Sequence, residues 1–230
     1  MKLRLLTLGF AVAALAAGCS DDDSNTGPAT DAGVRVVHAS PDAPSVDVLV
    51  DDAKVLSSVP YLGSSSYLEV PSGNRNIKVN AAGTTTTAID ADLPLTAGAD
   101  YTVIAGGLVS DIASIVLEDD RSAPATGKVK VRAVHGAPSA PAVDIYVTAP
   151  GADLQVATPT LTSVPFGAAS DYLEIPAGDY QLRVTAAGSK AVVIDSGTQS
   201  LAAGQVRTVV AVDSTGGGAP FGLLLLADLN

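Results

Sequence analysis

VRVVHASPDAPSVDVLV, residues 34–50, returns 97 positions later as VRAVHGAPSAPAVDIYV, residues 131–147, with ten of 17 positions identical. The chain's two histidines, His38 and His135, sit at the same place in the two copies, as do Pro41/Pro138, Pro44/Pro141 and Asp47/Asp144. A repeat of this length means one structural unit laid down twice. Each copy opens on a short β-rich run, then a corner where two prolines remove backbone donors and forbid a helix. Val46, Val48 and Val50 then alternate with Asp47 and Leu49, the period of a strand with one buried face.

Further along, YLEVPSG (67–73) and YLEIPAG (172–178) mark the same hairpin in each copy, with Pro and Gly at the turn. In the second copy Tyr180, Leu182 and Val184 take the buried face of the following strand; Arg75 stands where Tyr180 stands, which puts that position at a strand end. LTAG (95–98) and LAAG (201–204) are equivalent turns, and the run Leu223–Leu226 reads as a buried final strand. The repeat offset grows from 97 to 105 between Val50 and Val59, so about eight extra residues lie near 148–159, where an insertion maps to a surface loop. Seven or eight short strands per copy, with turn signals every 8–12 residues, predict two tandem all-β, antiparallel β-sandwich domains of the Ig-like or transthyretin-like kind. The domain plan is 33–119 and 128–230, joined by a linker at 120–127 (DRSAPATG), whose shortness implies little independent motion.

Composition agrees. Apolar residues make up 47% of 230 and charged residues 16%, well below the usual quarter, so the surface is built from Ser, Thr, Asn and Gly. A net charge of −11 repels phosphate backbones, so nucleic acid is not an expected partner. Residues 1–18 read as a signal peptide: Lys2 and Arg4 precede an apolar run of about 13 residues, too short to span a bilayer. Small residues then lead to Cys19, the one cysteine. This resembles a bacterial lipoprotein signal, although Leu15 lies four rather than three positions before the cysteine. The resemblance implies lipid on Cys19, export, and anchoring to the outer membrane or cell surface. Residues 19–32 read as a polar, disordered tether. With one cysteine, no disulfide is available to the folded part.

The matched segments VRVVHASPDAP, VDVLV, VPYLG, YLEVPSG and LTAGADYTVIAGG, with VRAVHGAPSAP, VDIYV, VPFG, DYLEIPAGDYQLRV and LAAG, resemble the bacterial secreted family of domains of unknown function numbered 4397. That resemblance covers nearly everything from Val34 on. It implies an exported, cell-envelope β domain, often in tandem, and carries no catalytic residues to transfer.

The sharpest chemical candidates are His38 with Asp47 and His135 with Asp144. A histidine oriented by a carboxylate is half of many acid–base sites. No nucleophile context such as G-x-S-x-G accompanies either pair, and one His plus one Asp is too few ligands for zinc. The structural alternative is favoured: each His ties down its Pro-rich corner by bonding backbone groups there. Asp51-Asp52 and Asp119-Asp120 lack calcium-loop spacing and read as solvated turn residues. Gly106-Gly107 and Gly216–Gly218 lack the strand–loop–helix context of a phosphate cradle and read as turns, and no cofactor is expected. The expected function is a non-catalytic binding or structural/adhesion module with a glycan or protein partner. The alternative is an envelope hydrolase built on the two His–Asp pairs.

Overall fold

A computed structural model describes residues 30–229. The leader, Cys19 and most of the 19–32 tether lie outside the described residues. Among the described residues, sixteen strands follow one another with a single 3-10 turn at Val109–Asp111. The first copy contributes β1 (Asp31–Ala39), β2 (Val46–Val50), β3 (Ala53–Val59), β4 (Leu68–Pro71), β5 (Gly73–Ala81), β6 (Thr87–Leu95), β7 (Asp100–Gly106) and β8 (Ala113–Asp119). The second contributes β9 (Lys128–His135), β10 (Val143–Thr148), β11 (Leu161–Val164), β12 (Leu173–Pro176), β13 (Gly178–Ala186), β14 (Val192–Leu201), β15 (Val206–Val212) and β16 (Gly222–Leu229). Strand β1 starts at Asp31 and Ala32 is already buried, so the folded part begins within the stretch read as tether.

Each copy makes two four-stranded sheets, in the orders β4-β1-β7-β8 and β3-β2-β5-β6, repeated as β12-β9-β15-β16 and β11-β10-β13-β14. The Pro-rich corner is where the chain leaves one sheet for the other, since β1 and β2 belong to different sheets. The two sandwiches are antiparallel as expected except for one pairing in each. β1 runs parallel to β7, from Gly33↔Asp100 to Ala39↔Gly106, and β9 runs parallel to β15. Alternating apolar residues mark a strand's faces but not its direction, which is why this pairing is invisible in the pattern. The 149–160 insertion is a loop between β10 and β11, where the first copy has only a tight turn at Asp51 (φ 47°) and Asp52 (φ 64°).

Strands β1 and β9 are buried on both faces. Val34, Val36 and Val103 point into the first sandwich with Val48 and Ile77. On the opposite face, Val37, Ala39 and Ile104 pack against Val134, Val210, Val212 and Leu226 of the second copy. This explains why β1 carries Val36, Val37 and Ala39, apolar on both of its faces, rather than a strict alternation. The two sandwiches therefore share an apolar seam. Fully burying one valine side chain contributes about 1.5–3 kcal/mol, and each copy alone would expose several.

Leu223–Leu226 is the final strand, but it is not wholly buried. Leu226 faces the seam at 3% exposure, whereas Leu225 is 51% exposed.

Candidate functional site

His38 ends β1 and is fully buried. Its Nε2 lies 3.0 Å from the Pro44 carbonyl, which can only accept, so Nε2 carries the proton. The Ser40 amide donates to Nδ1 at 3.4 Å. Burial holds the imidazole below its ordinary pKa, with the Pro44 bond opposing more weakly, so the ring is neutral. His135 repeats the geometry on Pro141 and Ala137, at 3.0 and 3.4 Å. Tyr61 and Phe166 meet the two rings edge-on at 6.1 and 6.2 Å. Both ring nitrogens thus bind the backbone of the corner that carries the chain between sheets.

The two aspartates do something else. Asp47 accepts from the Ser58 amide (2.8 Å), the Gly83 amide (3.1 Å) and Lys54 Nζ (2.5 Å). Led by the Lys54 bond, these hold its carboxyl down to about 2. Asp144 accepts from the Ser163 and Gly188 amides, both at 2.8 Å. Ser58 and Ser163 sit at φ 53° and 51°, and Gly83 and Gly188 at 74° and 75°. Each carboxylate therefore pins an irregular turn of the strand beside it and the hairpin beyond. Among the described residues neither aspartate bonds an imidazole, so the two residues of each pair are spatially separate devices, not a dyad.

A second cluster lies on the seam between the copies. Arg35 Nε and Nη2 donate to Thr102 Oγ1 at 3.1 and 2.7 Å, Nη1 to the Ala227 carbonyl at 2.9 Å, and Nη2 to Asp228 Oδ1 at 2.5 Å. Arg132 mirrors it, donating to Thr208 Oγ1, the Glu118 carbonyl and Asp119 Oδ1. Tyr67 donates to Asp119 at 2.7 Å, and Tyr172 to Asp228 at 2.9 Å. The Arg35 and Arg132 guanidinium carbons lie 4.8 and 4.5 Å from the Tyr67 and Tyr172 ring centres. Burial, first of all, raises the pKa of both phenols. Each arginine thus reaches across the seam for the other copy's terminal aspartate. Both aspartate side chains are fully buried.

This corrects the reading of Asp119 as a solvated turn residue. Its charge is neutralised by Arg132 of the other copy, while Asp120 is half exposed and pairs with Lys130 at 2.6 Å. Asp51 and Asp52 are turn residues paired with Arg75 and Lys78. The linker is tied down as well, with Arg121 donating to the Asp228 carbonyl (2.8 Å) and to Asp100 (2.9 Å). The signal that could have revealed this cluster was present. An arginine stands at the same register of the opening strand in both copies, flanked by valine or alanine, and a tyrosine opens both YLE hairpins.

The copies differ between their sheets. The second holds a cavity of about 250 Å³ walled by Val131, Val147, Leu182, Leu201, Val209 and Leu223. Strand register aligns Gln199 with Leu93 and Arg207 with Tyr101. In the first copy Leu93 and Tyr101 are part of the closed core, each 8% exposed. Tyr180 and Leu182, expected on a buried face, are only partly buried because they border this space.

Two β-sandwiches joined face to face define the molecule as a tandem all-β module. The chain belongs to the family described as domain of unknown function (DUF4397), whose model matches residues 32–146 and 147–230. The boundary between those matches falls inside β10, whereas hydrogen bonding places β9 and β10 in the second pair of sheets. Among curated proteins none matches the chain. Among solved structures, the TIE protein of Bacillus anthracis is similar at 11% identity and a TM-score of 0.25, over 81% of this chain and 34% of that one. The chain thus spans about a third of that protein. A family 26 carbohydrate-binding module of Eubacterium rectale Amy13K, solved with maltoheptaose, is similar at 10% identity and a TM-score of 0.28, covering 84% of this chain and 96% of that one. A leucine-rich repeat protein of Bacteroides thetaiotaomicron is similar at 12% identity and a TM-score of 0.22, over 81% of this chain and 26% of that one. At these scores the likenesses carry no inference about ligand.

Proposed function

We propose that the chain is a non-catalytic binding or structural/adhesion module of the bacterial cell envelope, an exported lipoprotein held to a membrane by lipid on Cys19. The observation that supports a non-catalytic role is where the shared residues are engaged. His38, His135, Asp47 and Asp144 bond backbone groups of their own corners and turns, and Arg35, Arg132, Asp119 and Asp228 lock one copy to the other. What the copies have in common is scaffold. Recognition therefore belongs where they diverge, in the second copy's cavity and the 149–160 loop.

Two measurements test this reading. Intact mass of the membrane-extracted chain is expected to show acyl groups on Cys19, and Cys19→Ala is expected to release the chain to the soluble fraction. Unmodified Cys19 in an exported chain would remove the anchoring half. Retention of the chain on immobilised glycans and envelope proteins is expected to survive His38→Ala and His135→Ala in proportion to the folded fraction. A hydrolytic activity lost in folded His135→Ala would overturn the non-catalytic half in favour of a hydrolase.

A further inference from the structure

The cavity of the second copy has apolar walls and one feature they do not explain. Arg207 lines it, and the Arg207 Nη1 atom is buried without a hydrogen-bond partner. On β15 the even positions face the seam, with Thr208 bonded to Arg132 and Val210 packed against the other copy. Arg207 and Val209 face the interior of the sandwich and both line the cavity. The cross-strand neighbours of Arg207 are Val131 and Ala227, and among the described residues no acidic side chain lines the space. Its remaining polar lining is Tyr180, Ser196 and Gln199, all engaged elsewhere: the Tyr180 hydroxyl donates to the Pro176 carbonyl at 2.8 Å, the Ser196 hydroxyl to the Gly197 carbonyl at 2.7 Å, and the Gln199 amide to the Ser196 carbonyl at 2.7 Å. The first copy solves the same position with Tyr101, whose hydroxyl accepts the Thr96 amide at 3.2 Å. A buried guanidinium donor with no acceptor is unfavourable in a folded chain, and an anion brought to it relieves that cost.

We propose that this cavity binds an amphiphilic monoanion, an aliphatic carboxylate whose chain lies between the sheets and whose carboxylate meets Arg207. The proposal rests on the binding-module reading and names its ligand class. The volume suits it: an apolar cavity of about 150 Å³ holds benzene, and this one is about 250 Å³. The walls disfavour a sugar, whose hydroxyls would face Val131, Leu182, Val209 and Leu223 without partners. The charge separates a carboxylate from a neutral lipid, because the bond of a carboxylate to Nη1 is charge-assisted and roughly twice as strong as that of a hydroxyl.

The test is calorimetric titration of the full chain with butyrate, hexanoate and octanoate, all as monomers, with octanol and acetate as controls. Octanoate is expected to bind once per chain, with affinity rising about fourfold per added methylene. Octanol is expected to bind at least tenfold more weakly. Arg207→Gln is expected to lose at least tenfold toward octanoate and to leave octanol unchanged. Val209→Phe, which fills the space, is expected to abolish both, and its fold is checked by an unchanged circular dichroism spectrum. Failure of the parent chain to bind octanoate overturns the proposal, and so does equal octanoate affinity in Arg207→Gln. If octanoate fails while immobilised envelope ligands still retain the chain, the ligand class is wrong and the binding-module reading stands.

Discussion

Removing Arg35 should separate the effect of the seam from that of either sandwich. The side chain is 3% exposed and donates to Thr102, the Ala227 carbonyl and Asp228, the last at 2.5 Å. In Arg35→Ala, Asp228 keeps its bonds from Thr208 and Tyr172 but loses its cation. Breaking a buried pair in this way costs about 3–5 kcal/mol, because a charge stays buried without a partner. For a body of this size each kcal/mol moves Tm by roughly 2–4 °C, so a fall of roughly 6–20 °C is expected in a circular dichroism melt. The companion Asp228→Leu removes the stranded charge, and Arg35→Met/Asp228→Leu should recover most of the loss. A double-mutant cycle of Arg35→Met, Asp228→Leu and their combination then isolates the coupling between two residues 193 positions apart. A shift below 2 °C in Arg35→Ala, or strictly additive single effects, would refute the idea that this pair joins the copies.

Three smaller outcomes follow from the same geometry. Asp144→Ala leaves the Ser163 and Gly188 amides without their acceptor, and a loss of about 1–3 kcal/mol per unpaired group is expected in urea unfolding, with unchanged slope. Burial holds His38 below 6.5, so on acidification the unfolded chain takes up its proton first. The stability this group contributes is therefore present above its unfolded value of 6.5 and lost progressively as pH falls from there to the lowered folded pKa, and the pH dependence of the urea midpoint between 7.5 and 5.5 should be shallower in His38→Gln. Arg207→Tyr/Gln199→Leu gives the second copy the first copy's core residues, and an increase in Tm is expected where the cavity closes.

Much of this architecture was legible before any coordinates. The 97-residue offset and the paired corners define two copies, and period-2 alternation at Val46–Val50 marks a strand that the structure contains. The parallel β1–β7 pairing was not legible, since pleat alternation is the same in either direction. Asp119 was misread because its partner lies in the other copy: an acid beside Asp120 at a strand end looks solvated until Arg132 is placed on it. Leu225 was misread because four consecutive leucines hide which face each occupies, and cross-strand pairing with Val209 puts it beside the cavity. His38 and Asp47 share one motif and invite a dyad, yet β1 and β2 lie in different sheets and each side chain is engaged with its own turn.

The claim beneath all of this is that the two copies share one core through Val37, Ile104, Val134 and Val210 and the two crossed Arg–Asp pairs. Differential scanning calorimetry of the described region, residues 30–229, tests it most directly. A single transition with calorimetric and van't Hoff enthalpies equal is expected. Two resolved transitions, one per copy, would show that the sandwiches melt independently and that the seam is not a core.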